Sequence, residues 1–268
     1  MSHHRINTSR RARAQGGFTI LEMMVALAIG LVVALGFTAS FIGMKTSFNS
    51  QSSLTQLQDN ERIAMAVLTS AVTQAGYFPT GANPATSVAG KMTRADLYAG
   101  ADTVGGSMAA MQYLYGTTAG TPTSTTKETL STAFVSAPGD GQLSCQGSSV
   151  ASSTTTNVTL RNTFYVDTTS NTLGCTVQAT AAATSTPTVT PTNTTFTPLV
   201  TNVKSMSVLY GIDYDADGNV DTYMPASLVT TAQWSSVKSV RVTLNFINPN
   251  DSSAVISWIQ TINVMNNK

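Results

Sequence analysis

The clearest pattern in the sequence is a long apolar segment near the amino terminus. Residues 23–44 contain no charged side chain, and as a helix they would span about 33 Å, close to the thickness of a bilayer's hydrocarbon core. Arginines precede this segment, and a mostly polar chain follows it. The positive-inside rule therefore predicts one membrane crossing, with the amino end in the cytoplasm.

The helical pattern continues beyond the apolar segment. Residues 44–75 contain neither glycine nor proline, and apolar side chains recur there at steps of three and four residues. These side chains are Leu54, Leu57, Ala64, Leu68, Ala71 and Ala75, and Glu61 interrupts the series. We therefore expect one helix over residues 18–75, capped by Gly76, with an apolar first half and an amphipathic second half.

The remainder of the chain shows β-strand patterns separated by polar turns. In "VKSVRVTLNFIN", apolar Val240 to Phe246 alternate with polar residues, which predicts one buried face and one solvated face. Further strands are expected at residues 129–135, 162–167, 173–177 and 257–264. Because lone strands cannot bury such faces, we expect an α+β fold with an antiparallel sheet packed on the helix near Ile63, Val67 and Leu68.

Long loops are expected at residues 80–126 and 179–198. The second, "ATAAATSTPTVTPTNTTFTP", is low in complexity and rich in Thr and Pro. Its composition favours a solvated loop, and surface variability or glycosylation is the alternative.

Glu22 is a carboxylate at the start of the apolar segment, and it helps to distinguish a membrane anchor from the possible targeting signals. An acid in a membrane helix costs about 2.5–3.5 kcal/mol near the bilayer centre and less near the interface. A plain anchor, a signal peptide cut near Ala39 or Ser40, or a twin-arginine signal at Arg10 and Arg11 would leave that cost uncompensated.

Gly16-Gly17-Phe18-Thr19-Ile20-Leu21-Glu22, behind a basic leader and ahead of an apolar helix, resembles the class III signal of type IV pilins. The resemblance implies that a prepilin peptidase cuts between Gly17 and Phe18 and N-methylates Phe18. It also implies that Glu22 meets the terminal amine of a neighbouring subunit. Physically, the cut would create a cation one helical turn from Glu22, so each charge needs a partner, within one chain or between stacked chains. We expect the pairing between chains, where it would set the register.

A stripe of small residues supports packing of this helix against others. Ala26, Gly30 and Ala34 recur at four-residue spacing, which lets neighbouring backbones approach closely.

Later segments narrow the resemblance. "LQDNERIAMAVLTSAVTQAGYF" is similar to the PilW family of minor pilins, and matching pieces follow along most of the chain. They are Cys145-Gln-Gly, Asn162-Thr-Phe-Tyr-Val, Leu173-Gly-Cys175, Tyr210-Gly-Ile-Asp-Tyr-Asp, and Trp234 followed by Val237-Lys-Ser-Val-Arg-Val. The J-type pseudopilins of type II secretion share the overall plan and remain an alternative.

The resemblance implies four segments. Residues 1–17 form the leader, 18–44 the transmembrane and filament-core helix, 45–76 its amphipathic continuation, and 77–268 a periplasmic β-rich domain. The chain is then expected in the inner membrane as a single-pass protein and afterwards in a type IV pilus near its tip. Expected partners are other minor pilins, the major pilin, the prepilin peptidase, the inner-membrane assembly platform and, before assembly, membrane lipid.

Cys145 and Cys175 are the two cysteines of the chain. In an exported domain they can oxidise, and a disulfide closing a loop of about 30 residues would contribute about 3–4 kcal/mol in the chain-entropy model. We expect this disulfide rather than two free thiols or a zinc site.

The segment "GIDYDADGNVDTYM" resembles a calcium loop. Asp213, Asp215, Asp217 and Asp221 take positions 1, 3, 5 and 9 of that pattern, and Gly218 takes the turn position. Position 12 is Met224 instead of glutamate, which should weaken binding. Calcium is thus a candidate ligand, and an acidic turn between two strands is the alternative.

Charge and composition argue against other functions. From Phe18 onward ten Lys/Arg face thirteen Asp/Glu, a balance of 10 − 13 = −3, and both histidines lie in the leader. This charge gives no broad phosphate-binding field, so nucleic acid is not an expected partner. Without a histidine base or a phosphate-binding glycine loop, we do not expect an enzyme. The expected role is a structural minor pilin that starts or caps a pilus used for twitching motility, adhesion or DNA uptake; a tip adhesin or DNA receptor is the alternative.

Overall fold

The structure is a computed structural model that describes residues 17–79, 100–102, 104–109, 112–118, 127–151, 157–181, 192–193 and 195–265. The basic leader up to Gly16 and large parts of the two expected long loops lie outside these ranges. The chain divides into two compact units, Met1–Ser52 and Ser53–Lys268.

One helix, α1 (Ile20–Gln74), runs through both units. Its bounds agree with the predicted 18–75 to within two residues at each end. Gly76 follows in the left-handed conformation, at φ 76°, and its N–H donates to the Ala133 carbonyl. The expected glycine stop is therefore present, and it directs the chain onto the edge of a strand.

The described part of the first unit is almost entirely the apolar half of α1. Every residue from Gly17 to Asn49 is exposed, large side chains such as Leu31 and Phe37 included. By length and hydropathy this half is able to cross a membrane. A helix that exposes apolar side chains all round requires lipid or other protein around it.

The described part of the second unit contains the carboxyl-terminal part of α1 and three antiparallel sheets. The strands are β1 (Gly100–Asp102), β2 (Gly106–Met108), β3 (Leu114–Thr117), β4 (Thr129–Ser136), β5 (Val158–Asp167), β6 (Thr172–Ala181), β7 (Thr192–Asn193), β8 (Thr197–Thr201), β9 (Val203–Ile212), β10 (Thr222–Pro225), β11 (Val237–Asn248) and β12 (Asp251–Asn263). Two 3₁₀ helices, Ala226–Leu228 and Gln233–Ser236, lie between β10 and β11.

The strands form two main sheets instead of the single sheet expected. One has the order β10-β9-β11-β12, the other has the order β3-β4-β5-β6-β7 with β8 also paired to β6, and β1 and β2 form a separate hairpin. The chain passes from β8 in one sheet to β9 in the other at Asn202, which has a φ of 63°. A left-handed residue turns the backbone sharply enough for consecutive strands to enter different sheets.

The predicted strands are present, and most are longer than the patterns suggested. β11 buries Val240, Val242, Leu244 and Phe246, as their alternation predicts, and β12 pairs beside it from Ser239↔Asn263 onward. The expected long loops contain β1, β2 and β3 in one case and β7 in the other. These short strands lack the period-two alternation that identifies a strand in sequence.

The core joins the helix to both main sheets. On α1 the buried face consists of Leu57, Glu61, Ala64, Met65, Leu68, Ala71 and Val72. Val67 packs against this core, whereas Ile63 is 51% exposed, so its predicted contact is wrong. Ile63 directly precedes Ala64, and one residue turns a helix by about 100°, which moves its side chain off the buried stripe.

Trp234 lies between the two main sheets. It is buried, and its ring centroid is 5.0 Å from that of Tyr115 in β3 and 4.8 Å from that of Tyr210 in β9. The Tyr210 hydroxyl donates to the Thr129 carbonyl of β4. An aromatic cluster thus connects the sheets at this end of the unit.

Candidate functional site

The helix begins at Ile20, three residues after Gly17. The Glu22 N–H lies 3.3 Å from Thr19 Oγ1, and the Met23 N–H donates to the Thr19 carbonyl. Thr19 is therefore the N-cap, and Glu22 is the third helical residue, an acid at the favourable end of the helix dipole. The Gly17–Phe18 bond stays outside the helix, where the chain has no regular structure.

Glu22 and Phe18 are both available to other molecules. Phe18 is 85% exposed, and the structure places Glu22 on the exposed first turn of α1. Among the residues that the structure describes, no ion pair involves Glu22. A cation for this carboxylate would come from processing at Phe18 or from another chain.

Three glycines on the apolar half of α1 have open space beside them among the residues that the structure describes. A Cβ added at Gly30 would meet nothing within 4 Å, and the same holds at Gly36 and Gly43. Glycine lowers helix stability by up to about 1 kcal/mol relative to alanine. In membrane helices, glycine is enriched where neighbouring helices approach closely.

The expected disulfide is present. Cys145, in the segment after β4, is bonded to Cys175 in β6, a sequence separation of 30 residues. The Cys145 N–H donates to Asn162 Oδ1 in β5, so the bonded segment is also anchored to the neighbouring strand. The bond ties the segment after β4 to the six-stranded sheet.

Three of the four predicted calcium ligands come together in the β9–β10 hairpin. One carboxylate oxygen from each of Asp213, Asp215 and Asp221 lies within 4.8 Å of the others. Asp217 is outside this group, because its carboxylate accepts hydrogen bonds from the backbone and side chain of Asn219. These two hydrogen bonds are also the main reason that the pKa of Asp217 lies below its ordinary value.

Arg161 is a buried charge that the strand pattern did not reveal. It projects from β5, and its guanidinium donates to the carbonyls of Gly105 and Gly106 and to Ser131 Oγ. Burial lowers its pKa to about 10, and nearby Asp102 opposes that shift, so Arg161 is protonated at neutral pH. Its hydrogen bonds hold the β1–β2 hairpin against β5.

Two glutamates also lie in the protein interior, Glu61 buried and Glu128 partly buried. Glu128 accepts a hydrogen bond from the Val208 N–H at 2.6 Å, where β9 extends past the end of β10. Glu61 lies on the buried face of α1, and its Oε1 has no hydrogen-bond partner among the described residues. Burial raises the pKa of both carboxyl groups.

Comparison with protein families gives two matches on different parts of the chain. Residues 12–38, which include the Gly17–Phe18 bond and Glu22, match the Prokaryotic N-terminal methylation motif. Residues 163–260, from β5 to β12, match the family Type IV Pilus-assembly protein W. The chain is a type IV pilin-like protein of the PilW family. No curated protein matches this PilW-family chain.

The two matches point to a structural pilus subunit rather than an enzyme. For this PilW-family chain, the apolar half of α1 and the methylation motif fit a membrane-anchored pilin. A pilus-assembly family also implies contact with other pilus components.

Proposed function

We propose that this PilW-family chain is a minor pilin that helps to start or cap a type IV pilus together with other minor pilins. The supporting observation is Glu22, an acid on the first turn of α1, whose apolar half is exposed throughout, and only four residues after Phe18. After cleavage there, the Phe18 amine of one chain pairs with Glu22 of the next.

Pairing of the Phe18 amine with Glu22 would fix the axial position of one chain relative to the next. A charge pair in apolar surroundings is favourable only when both partners are present and aligned, so chains shifted along the axis lose it. Glycines with open space on the same helix half allow the close approach that such stacking requires. Before assembly, lipid covers this half of the helix.

The proposal assigns a partner to each stage. The prepilin peptidase removes the leader and methylates Phe18, the inner-membrane assembly platform extracts the chain, and minor and major pilins receive it. Twitching motility and adhesion, and DNA uptake where the pilus performs it, then depend on the chain through the pilus. The charge of −3 from Phe18 onward argues against direct DNA binding.

The experiment is a Glu22→Gln variant expressed in place of the native chain. We expect leader cleavage and Phe18 methylation to persist, and incorporation into sheared filaments to fall roughly tenfold or more, because truncating one partner of a buried charge pair costs about 2–5 kcal/mol. Mass spectrometry of membranes and filaments measures both. Asp59→Asn is the matched control, since Asp59 is an exposed acid further along α1.

Normal incorporation of Glu22→Gln would refute the register role. A chain that keeps its leader in the filament, or is cut near Ala39, would refute the pilin processing as well. A minor pilin should also be scarce relative to the major pilin, and its deletion should reduce pili in electron micrographs while type II secretion continues.

A further inference from the structure

The hairpin between β9 and β10 contains a buried carboxylate, Asp213, that the described residues do not fully hydrogen-bond. Asp213 is 3% exposed. Its Oδ2 accepts a hydrogen bond from the Gly218 N–H at 3.0 Å and lies 3.6 Å from Lys238 Nζ. Its Oδ1 is buried and has no hydrogen-bond partner among the described residues. A buried oxygen in this state carries an uncompensated desolvation penalty, which a cation would offset.

Two exposed carboxylates converge on the buried one. Asp215 and Asp221 each bring an oxygen within 4.8 Å of one carboxylate oxygen of Asp213 and of each other. For a cation with ligand distances of about 2.4 Å, two ligands lie at most about 4.8 Å apart. The three oxygens are therefore close enough to share one ion without a rearrangement of the backbone.

The charges in the hairpin are unbalanced. Even without Asp217, the three clustered carboxylates face one ammonium group among the described residues, Lys238 of β11, which pairs with Asp213. Unit charges about 4 Å apart repel by about 4 kcal/mol at an effective dielectric constant of 20. Lys238 neutralises one carboxylate and leaves two, so the hairpin favours a divalent cation.

From these observations we propose that the β9–β10 hairpin is a calcium site with Asp213, Asp215 and Asp221 as its side-chain ligands. A ligand set made only of oxygens selects a hard cation, and the flexible geometry of a loop suits calcium better than magnesium. This inference goes beyond the proposed function and does not depend on it, since the site lies in the second unit of the chain.

The ligand set differs from the one that sequence spacing suggests. Asp217 is held by Asn219, and Met224 lies in β10 opposite Tyr210. A calcium ion bound here would need further oxygen ligands besides these three carboxylates.

The test is calcium titration of the full-length protein in detergent micelles, after removal of metal with a chelator. Calorimetry should show one site, and the melting temperature should rise on saturation, with a smaller rise for magnesium at the same concentration. Asp215→Asn should weaken calcium binding roughly tenfold or more, because the number of charged ligands sets the affinity. Asp215 is exposed, so this variant keeps the fold.

Asp251→Asn provides the matched control. Asp251 is an exposed acid at the start of β12, outside the cluster, and its replacement makes the same change in charge. We expect it to leave calcium affinity unchanged. The proposal is overturned if the native protein gives neither heat nor a thermal shift, if Asp215→Asn binds as tightly as the native chain, or if both variants weaken binding equally, which would indicate a diffuse ion atmosphere.

Discussion

The Nη2 atom of Arg161 lies 2.6 Å from the carbonyl oxygen of Gly105, and Nη1 lies 2.8 Å from that of Gly106. One side chain of β5 thereby holds the turn of the β1–β2 hairpin through both arms of its guanidinium. A Cβ at Gly105 would meet Nη2 at 2.6 Å, so the close approach also requires glycine at that position. Arg161 thus holds this short hairpin on the six-stranded sheet.

Arg161→Gln should destabilise the protein by about 3 kcal/mol. The change leaves buried carbonyls without their donor and removes the charge that balances Asp102. Urea unfolding of the full-length chain in micelles measures the loss. Arg241→Gln is the control, because Arg241 stacks over the Tyr223 ring and should cost only about 1 kcal/mol. Equal losses for the two variants would contradict a special role for Arg161.

Removing the disulfide should lower the free energy of unfolding by about 3–4 kcal/mol. The bond closes a loop of 30 residues and restricts the unfolded chain. The double variant Cys145→Ala and Cys175→Ala should melt at a lower temperature than the native protein. A reductant should lower the melting temperature of the native protein and leave the double variant unchanged. An insensitive native protein would show that the bond contributes little.

Stability should decline as pH rises from about 4.5 through the folded-state pKa values of Glu61 and Glu128. Burial raises both pKa values, so the folded state binds these protons more tightly than the unfolded state does. Their contribution is fully present below the unfolded pKa and is lost above the folded one. Melting temperatures across this range measure the slope.

Glu128→Gln should flatten that slope, because the amide oxygen can still accept the Val208 hydrogen bond without titrating. An unchanged slope would exclude Glu128 as a contributor. Asp167 and Asp251 act in the opposite direction. Local hydrogen bonds lower their pKa values, so their contribution is present above about pH 3.8 and is lost as pH falls further.

Two glycine-to-alanine changes should have opposite consequences. Gly174→Ala in β6 places a methyl group against the Phe196 ring and the Thr197 carbonyl, and should cost about 1–3 kcal/mol. Gly30→Ala meets open space, so the melting temperature should not fall, whereas incorporation into filaments should. Thermal melting and filament fractionation separate the two effects. Unimpaired assembly of Gly30→Ala would argue against close helix packing at that position.

The sequence predicted best what is decided locally. The apolar run, the three- and four-residue spacing and Gly76 specify α1, and alternation specifies β11, because in both cases one element buries one face. The pairing of Cys145 with Cys175 followed from their being the only two cysteines.

Other features depend on what packs against a residue, which the local pattern does not contain. Arg161 directly precedes the strand predicted at residues 162–167, and a charged side chain would be expected in water, yet it lies within β5 and the β1–β2 hairpin covers it. Ile63 is apolar yet lies off the buried stripe. Asp217 has calcium-loop spacing, but its hydrogen bonds to Asn219 hold it elsewhere.

The fluorescence of Trp234 should report on the contact between the two main sheets. Its indole is enclosed by Tyr115 of one sheet and Tyr210 of the other, so any separation of the sheets would admit water and shift its fluorescence to longer wavelengths. Trp258, on the edge strand β12, is 45% exposed and already in partial contact with solvent. Trp234 emission can therefore be used to follow separation of the two main sheets without an added label.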